Sequence, residues 1–276
     1  MQKLAVKVLL LVLINCCFSF AKAAKVDTVL TYSASMKKQI KAVVILPDTY
    51  KDIKKFPVLY LLHGYSGNYG DYVNNVPEIK ALSSEYQMII VCVDGNYGSW
   101  YIDSPADSSW KYETYIATEL VNWIDHKYKT IKAKSGRAIC GLSMGGHGAF
   151  YLAFRHQDIF GAAGSMSGGV DLRPFPDNWD INKRLGDYSN FPDRWDNYSV
   201  INQIYLLKPT SLALIMACGN EDFFYKVNLN LHEKLLERNI PHTYLAGPGG
   251  HSWAYWHDCL PYEMLFINNF FKKQHI

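Results

Sequence analysis

The chain has 276 residues, 49% of them hydrophobic and 19% charged, with a formal net charge of +3. That composition excludes a disordered or low-complexity polypeptide and suffices for one domain with a full core. Lys3, Lys7 and Lys22 account for the excess charge, because residues 1–23 hold no acid; no basic block is left that would mark a nucleic-acid partner.

Residues 1–23 read as a removable export signal. Lys3 and Lys7 give the positive start, Leu9 to Leu13 the apolar core, and Ala21-Lys22-Ala23 the small residues at the cleavage positions. The apolar run is too short and too interrupted to span a bilayer, so stable membrane insertion is not expected. Cys16 offers a lipid-anchor alternative, but Asn15 is large where that signal requires a small residue. Cleavage near Ala23 makes residues 24–276 a single domain, secreted or periplasmic.

Residues 40–46 read as a strand stopped by Pro47, and residues 56–62 (FPVLYLL) as a strand buried on both faces. Residues 88–93, 138–141, 212–217 and 242–246 repeat that character. Helical patterns lie between them at 78–86, 115–128, 144–156 and 225–238. Alternating strands and helices predict βαβ units, hence an α/β fold with a mostly parallel sheet covered by helices on both faces. Residues 168–203 break the alternation with Asp, Asn, Pro and aromatics. They read either as an ordered excursion beside the site or as a surface loop packed by its own aromatics.

Cys92, Cys140 and Cys218 sit in or at the end of apolar runs, where free cysteine packs as a small hydrophobe. There is no Cys-x-x-Cys and no His-Glu-x-x-His, so neither metal nor cofactor is expected.

The chemistry concentrates at Gly141-Leu142-Ser143-Met144-Gly145, a G-x-S-x-G string between a buried strand and a glycine-rich helix start. A serine on such a turn is held in strained backbone, so its neighbours two residues away must lack bulk. The helix start then aims its free N–H groups at a developing oxyanion. Ser143 is therefore the candidate nucleophile, and it needs a base. Among nine histidines, His251 lies in the turn Gly247-Pro248-Gly249-Gly250-His251, able to bring an imidazole to the sheet edge. His257 is its competitor; His232 and His242 have no special setting. The third member belongs at a strand end between Ser143 and His251, where Glu221 and Asp222 both qualify. Asp222 is preferred, with a helix N-cap as its ordinary use. Tyr65, after His63-Gly64 at another strand end, and Met144 are the candidate backbone oxyanion donors. His63 reads as a support for that loop.

Taken together, His63-Gly64-Tyr65-Ser66-Gly67, Asp94-Gly95-Asn96, Ser99-Trp100-Tyr101, Gly141 to Gly146, Cys218-Gly219 with Asp222, and Gly249-Gly250-His251 resemble the esterase D-like esterases. This α/β-hydrolase family includes feruloyl and acetyl-xylan esterases of carbohydrate esterase family 1, tributyrin-type esterases, S-formylglutathione hydrolase and the antigen 85 mycolyltransferases. The resemblance implies the triad Ser143, Asp222 and His251, with the Tyr65 amide at the oxyanion. It also implies a serine carboxylester hydrolase acting on an acyl ester, and with export, on acetylated or feruloylated cell-wall polysaccharide or oligosaccharide. Trp100, Trp179 and Trp195 are candidate substrate contacts, the last two on an aromatic face with Tyr188, Phe191 and Tyr198. Acyl transfer through the same triad is the alternative. A non-catalytic carbohydrate-binding relative is a third reading, opposed by the intact Ser143, Asp222 and His251.

Overall fold

The computed structural model describes residues 24–51 and 55–274, so the expected export signal at 1–23, with Cys16, lies outside it. Among the described residues no helix is long and apolar enough to cross a membrane. Strands β1 (Lys25–Ser33) and β2 (Lys38–Leu46) form a hairpin. After it come β3 (Val58–Leu62), β4 (Ile89–Val93), β5 (Arg137–Leu142), β6 (Ala162–Met166), β7 (Ala213–Gly219) and β8 (Thr243–Gly247). These eight strands make one sheet in the order β1-β2-β4-β3-β5-β6-β7-β8. From β4 to β8 neighbours run parallel, and β1 and β2 add an antiparallel edge.

The helices are α1 (Asp71–Asn75), α2 (Ile79–Glu85), α3 (Tyr112–Thr114), α4 (Val121–Lys127), α5 (Met144–Arg155), α6 (Ile181–Leu185), α7 (Pro192–Tyr198), α8 (Tyr225–Glu237) and α9 (Trp253–Lys273). A π-helical turn, Tyr115–Leu120, joins α3 to α4. Strand β3 has no exposed residue because both its faces are covered, as its unbroken apolar run requires. Leu59 and Leu61 pack with residues of α1, α2 and α9, whereas Tyr60 and Leu62 pack with residues of α3, α4, α5 and α8. This is the expected α/β architecture with helices on both faces.

Strands β1 and β6 and helices α1 and α9 had no counterpart in the periodicity. Strand β6 reads Ala-Ala-Gly-Ser-Met, without a β-branched residue. Its smallness is forced from outside: a Cβ at Gly164 would lie 2.1 Å from Glu263 Oε2 of α9 and 2.9 Å from Cys140 Sγ. Burial keeps the Glu263 carboxyl well above its ordinary pKa, and Cys140 lies beside it at 3.7 Å. Cys92, Cys140, Cys218 and Cys259 are all buried free thiols.

One ion cluster anchors the helix that starts at Ser143. Glu113 of α3 accepts hydrogen bonds from Arg155 Nε (2.8 Å), His156 Nε2 (2.9 Å) and Tyr151 Oη (2.9 Å) at the far end of α5. Burial would raise the Glu113 carboxyl, but the bonds from His156, Arg155 and Tyr151 outweigh it and hold it down to about 2. A carboxyl held below its unfolded value stabilises the fold fully above that value, near 4.3. This contribution, on the order of 3 kcal/mol, is lost as pH falls toward the folded value. Glu113→Gln is therefore expected to lower Tm at pH 7, with the gap to the parent protein closing between about pH 4 and pH 2. A gap that stays constant over that range would show that the cluster's charge is not what stabilises α5.

Candidate active site

Strand β5 is central, and the chain leaves it through Ser143 at φ 56°, ψ −119° directly into α5. An L-residue is strained there, and the surroundings fix it. The Ser143 N–H bonds the Met166 carbonyl (2.9 Å), and the Ser143 carbonyl accepts from His147 N (3.1 Å). Glycine is obligatory on both sides: a Cβ at Gly141 would lie 2.3 Å from Gly145 O, and one at Gly145 would lie 2.1 Å from Leu62 O. The turn therefore packs directly against the end of β3.

Three strand ends converge on the Ser143 hydroxyl. His251, in the loop after β8, places Nε2 2.8 Å from Ser143 Oγ. Its Nδ1 lies 2.9 Å and 3.0 Å from Asp222 Oδ2 and Oδ1, beyond the end of β7. With a carboxylate at Nδ1, the proton belongs on Nδ1, leaving Nε2 to accept the serine proton. The Asp222 side chain has no solvent exposure, and Oδ1 also takes the Phe224 N–H at 2.8 Å. Asp222 faces the imidazole and is not the helix N-cap: that position is Phe224, with no side-chain cap bond, and Asp222 only takes the Phe224 N–H in the turn before α8. Phe223, Phe224 and Trp256 pack around the His251 ring at centroid distances of 4.1, 5.4 and 4.8 Å.

The competing residues are employed elsewhere. Glu221 accepts the Gly249 N–H, while its own N–H bonds Gly249 O at 3.1 Å, so it fastens the His251 loop to β7. His257 is half-exposed on α9 and pairs with Glu78 Oε1 at 2.8 Å. His232 and His242 bond each other at 2.7 Å.

His63 is 1% exposed and closes the loop after β3. Its Nδ1–H donates to Gly64 O (2.7 Å), and Nε2 accepts from Gly95 N–H (2.8 Å). That is one neutral imidazole with both nitrogens used, the supporting role expected of it. Among the described residues no backbone carbonyl takes the N–H of Tyr65 or of Met144. Tyr65 Oη bonds Asp180; burial first, then that carboxylate, pushes the phenol up to about 12.

A cavity of about 450 Å³ opens over Ser143 and His251, walled by Tyr65, Trp179, Phe223, Trp253 and Trp256, with Asp71 at its side. Trp179 is half-buried and stacks on Phe223 at 5.2 Å. Trp100 does not line the cavity: it is 1% exposed, and its Nε1–H holds the Trp179 carbonyl at 3.0 Å, so it supports Trp179 from beneath. The expectation for Trp195 is corrected. It has no exposure, its Nε1–H is satisfied by Gly186 O at 2.9 Å, and Tyr188 meets it edge-on. The segment 168–203 needs an apolar centre of its own, and the indole supplies it. Tyr188 and Phe191 are exposed, but neither lines this cavity. Both readings of the segment therefore hold in part: Trp179 borders the cavity, while Tyr188 and Trp195 pack against each other within the segment.

The sequence reading missed Phe223, Trp253, Trp256 and Asp71. Phe223 directly follows Asp222, and Trp253 and Trp256 come two and five residues after His251; that proximity in the chain was the available signal.

The family model described as "Putative esterase" matches residues 33–267. The "Acetyl esterase" of Caldicellulosiruptor saccharolyticus is 27% identical over 247 residues, covering 82% of this chain and 91% of that protein. The "Diacylglycerol acyltransferase/mycolyltransferase Ag85B" of Mycobacterium leprae is 28% identical, over 72% of each chain. A solved structure titled "ferulic acid esterase" superposes with a TM-score of 0.76 at 28% identity, covering 90% of this chain and 99% of that one.

Proposed function

This chain belongs to the "Putative esterase" family and is a carboxylic ester hydrolase of the α/β-hydrolase fold; from that premise we propose that it works through an acyl-enzyme on Ser143. The observation that carries the reading is the unbroken chain of hydrogen bonds from Ser143 Oγ through His251 to the buried Asp222. Ser143 Oγ attacks the ester carbonyl as His251 Nε2 takes its proton. The resulting oxyanion rests on the free N–H groups of Tyr65 and Met144. Collapse breaks the bond to the alkoxy oxygen, which leaves as the alcohol with the proton from His251. Water then attacks the acyl-serine, giving its proton to His251, and the acid departs as Ser143 regains its hydrogen. Asp222 holds the imidazole tautomer and stabilises the imidazolium without accepting the proton.

The proposed substrate is an acetylated or feruloylated carbohydrate met outside the cytoplasm. Three observations support this: the aromatic walls of the cavity, the relatives named as acetyl and ferulic acid esterases, and the signal-like residues 1–23. Likeness to the mycolyltransferase supports the second reading, transfer of the acyl group to an alcohol in place of water. A fluorophosphonate probe is expected to label the parent protein at one site and Ser143→Ala not at all. Label that persists in Ser143→Ala would reject this nucleophile. Methyl ferulate and acetylated xylan beside p-nitrophenyl acetate, butyrate and octanoate then report the acyl group. Free acid released in the presence of a polyol separates hydrolysis from transfer.

A further inference from the structure

The aromatic cavity over Ser143 contains one fixed charge that the proposed reaction does not use. Asp71 lines the cavity together with Trp179, Phe223, Trp253 and Trp256, and no lysine or arginine is among the described residues lining it. The carboxylate is held against the loop that leaves β3: a Cβ at Gly67 would come within 2.2 Å of Asp71 Oδ2. Glycine at 67 thus leaves the space that the acid fills. Among the described residues the Asp71 carboxylate has no hydrogen-bond or ion-pair partner. The neighbouring acids differ. Asp222 is committed to His251 at 2.9 Å, and Asp180 is paired with Lys183 at 3.0 Å. An unpaired carboxylate beside aromatic walls leaves the cavity with one fixed negative charge and, apart from the His251 imidazole that takes up the serine proton, no positive one.

We propose that Asp71 is a specificity-determining residue that excludes substrates carrying a second negative charge and admits neutral or cationic esters. The proposal rests on the reading of this cavity as the ester site. The physical reason is direct. A bound substrate displaces water around Asp71, so the repulsion between it and an anionic substituent several Å away is poorly screened. The aromatic walls cannot offset it, because their ring faces are themselves negative and favour cations. Neutral hydroxyl groups, by contrast, can donate to the free carboxylate. Anionic thioester conjugates and dicarboxylic half-esters are the chemical classes turned away.

The test is a matched set of p-nitrophenyl esters of equal acyl length ending in methyl, carboxylate or trimethylammonium, assayed with the parent protein, Asp71→Asn and Asp71→Glu. The parent is expected to discriminate against the carboxylate ester. Asp71→Asn should reduce the neutral-to-anionic ratio of kcat/KM roughly five- to tenfold. Asp71→Glu should restore most of the discrimination. A ratio unchanged in Asp71→Asn, with Ser143 still labelled by the phosphonate and the methyl ester still turned over, would overturn the filter alone. Loss of labelling and turnover in the parent protein would instead overturn the ester-site reading, and the filter with it.

Discussion

Ser143→Ala is expected to lower turnover of a p-nitrophenyl ester by about four to six orders of magnitude, and His251→Ala by a similar factor. The double variant should lose little more than either single one. The reason lies in the 2.8 Å contact between Ser143 Oγ and His251 Nε2: without the base the hydroxyl is a poor nucleophile, and without the hydroxyl the base has no proton to take. Turnover left in all three variants should be alike, because the Tyr65 and Met144 amides and the cavity walls are untouched. Single-turnover and steady-state kinetics on purified variants measure this directly. Near-additive losses in the double variant would mean that the two residues act in separate steps, and the proposed mechanism would fail.

The second large effect is expected at Asp222. Asp222→Asn should cost about three to four orders of magnitude in kcat with little change in KM. An amide at this position can donate to Nδ1, which favours the tautomer with its proton on Nε2, pointing at the serine. That imidazole cannot accept the Ser143 proton. Glu221→Gln, one residue away, should cost no more than about tenfold, since Glu221 touches the backbone of the His251 loop and not the ring. If Glu221→Gln proves the more damaging, the acid has been assigned to the wrong carboxylate. Thermal unfolding of both variants beside the parent distinguishes a lost tautomer from a loosened loop, because only the latter should shift Tm appreciably.

The strands that were easiest to foresee are those whose residues answer to one constraint. Val58–Leu62 is apolar throughout because both faces of β3 are covered, and that leaves a plain mark in the sequence. Strand β6 answers to a different demand: its Gly164 must clear the Glu263 carboxyl from α9, a neighbour about a hundred residues away. No local pattern records such a contact. The same holds in the excursion, where Trp179 and Trp195 look alike in the chain. One borders the cavity through its stack on Phe223, and the other is the buried centre of its own segment.

For the site, the sequence by itself singled out Ser143 as the candidate nucleophile and the loop that faces it, and narrowed the candidate base to His251 or His257. Backbone strain at Ser143 demands Gly141 and Gly145, and chain order demands a later acid and histidine, so these requirements are written in local residue types. Only the tertiary structure put Asp222 and His251, and not Glu221 and His257, in hydrogen-bond line with Ser143, and it separated the three tryptophans. It also brought Asp71 to the cavity wall. Each of those choices depends on which side chain a folded neighbour leaves unpaired or buries, and that is set by packing between distant segments, which residue type and spacing do not encode.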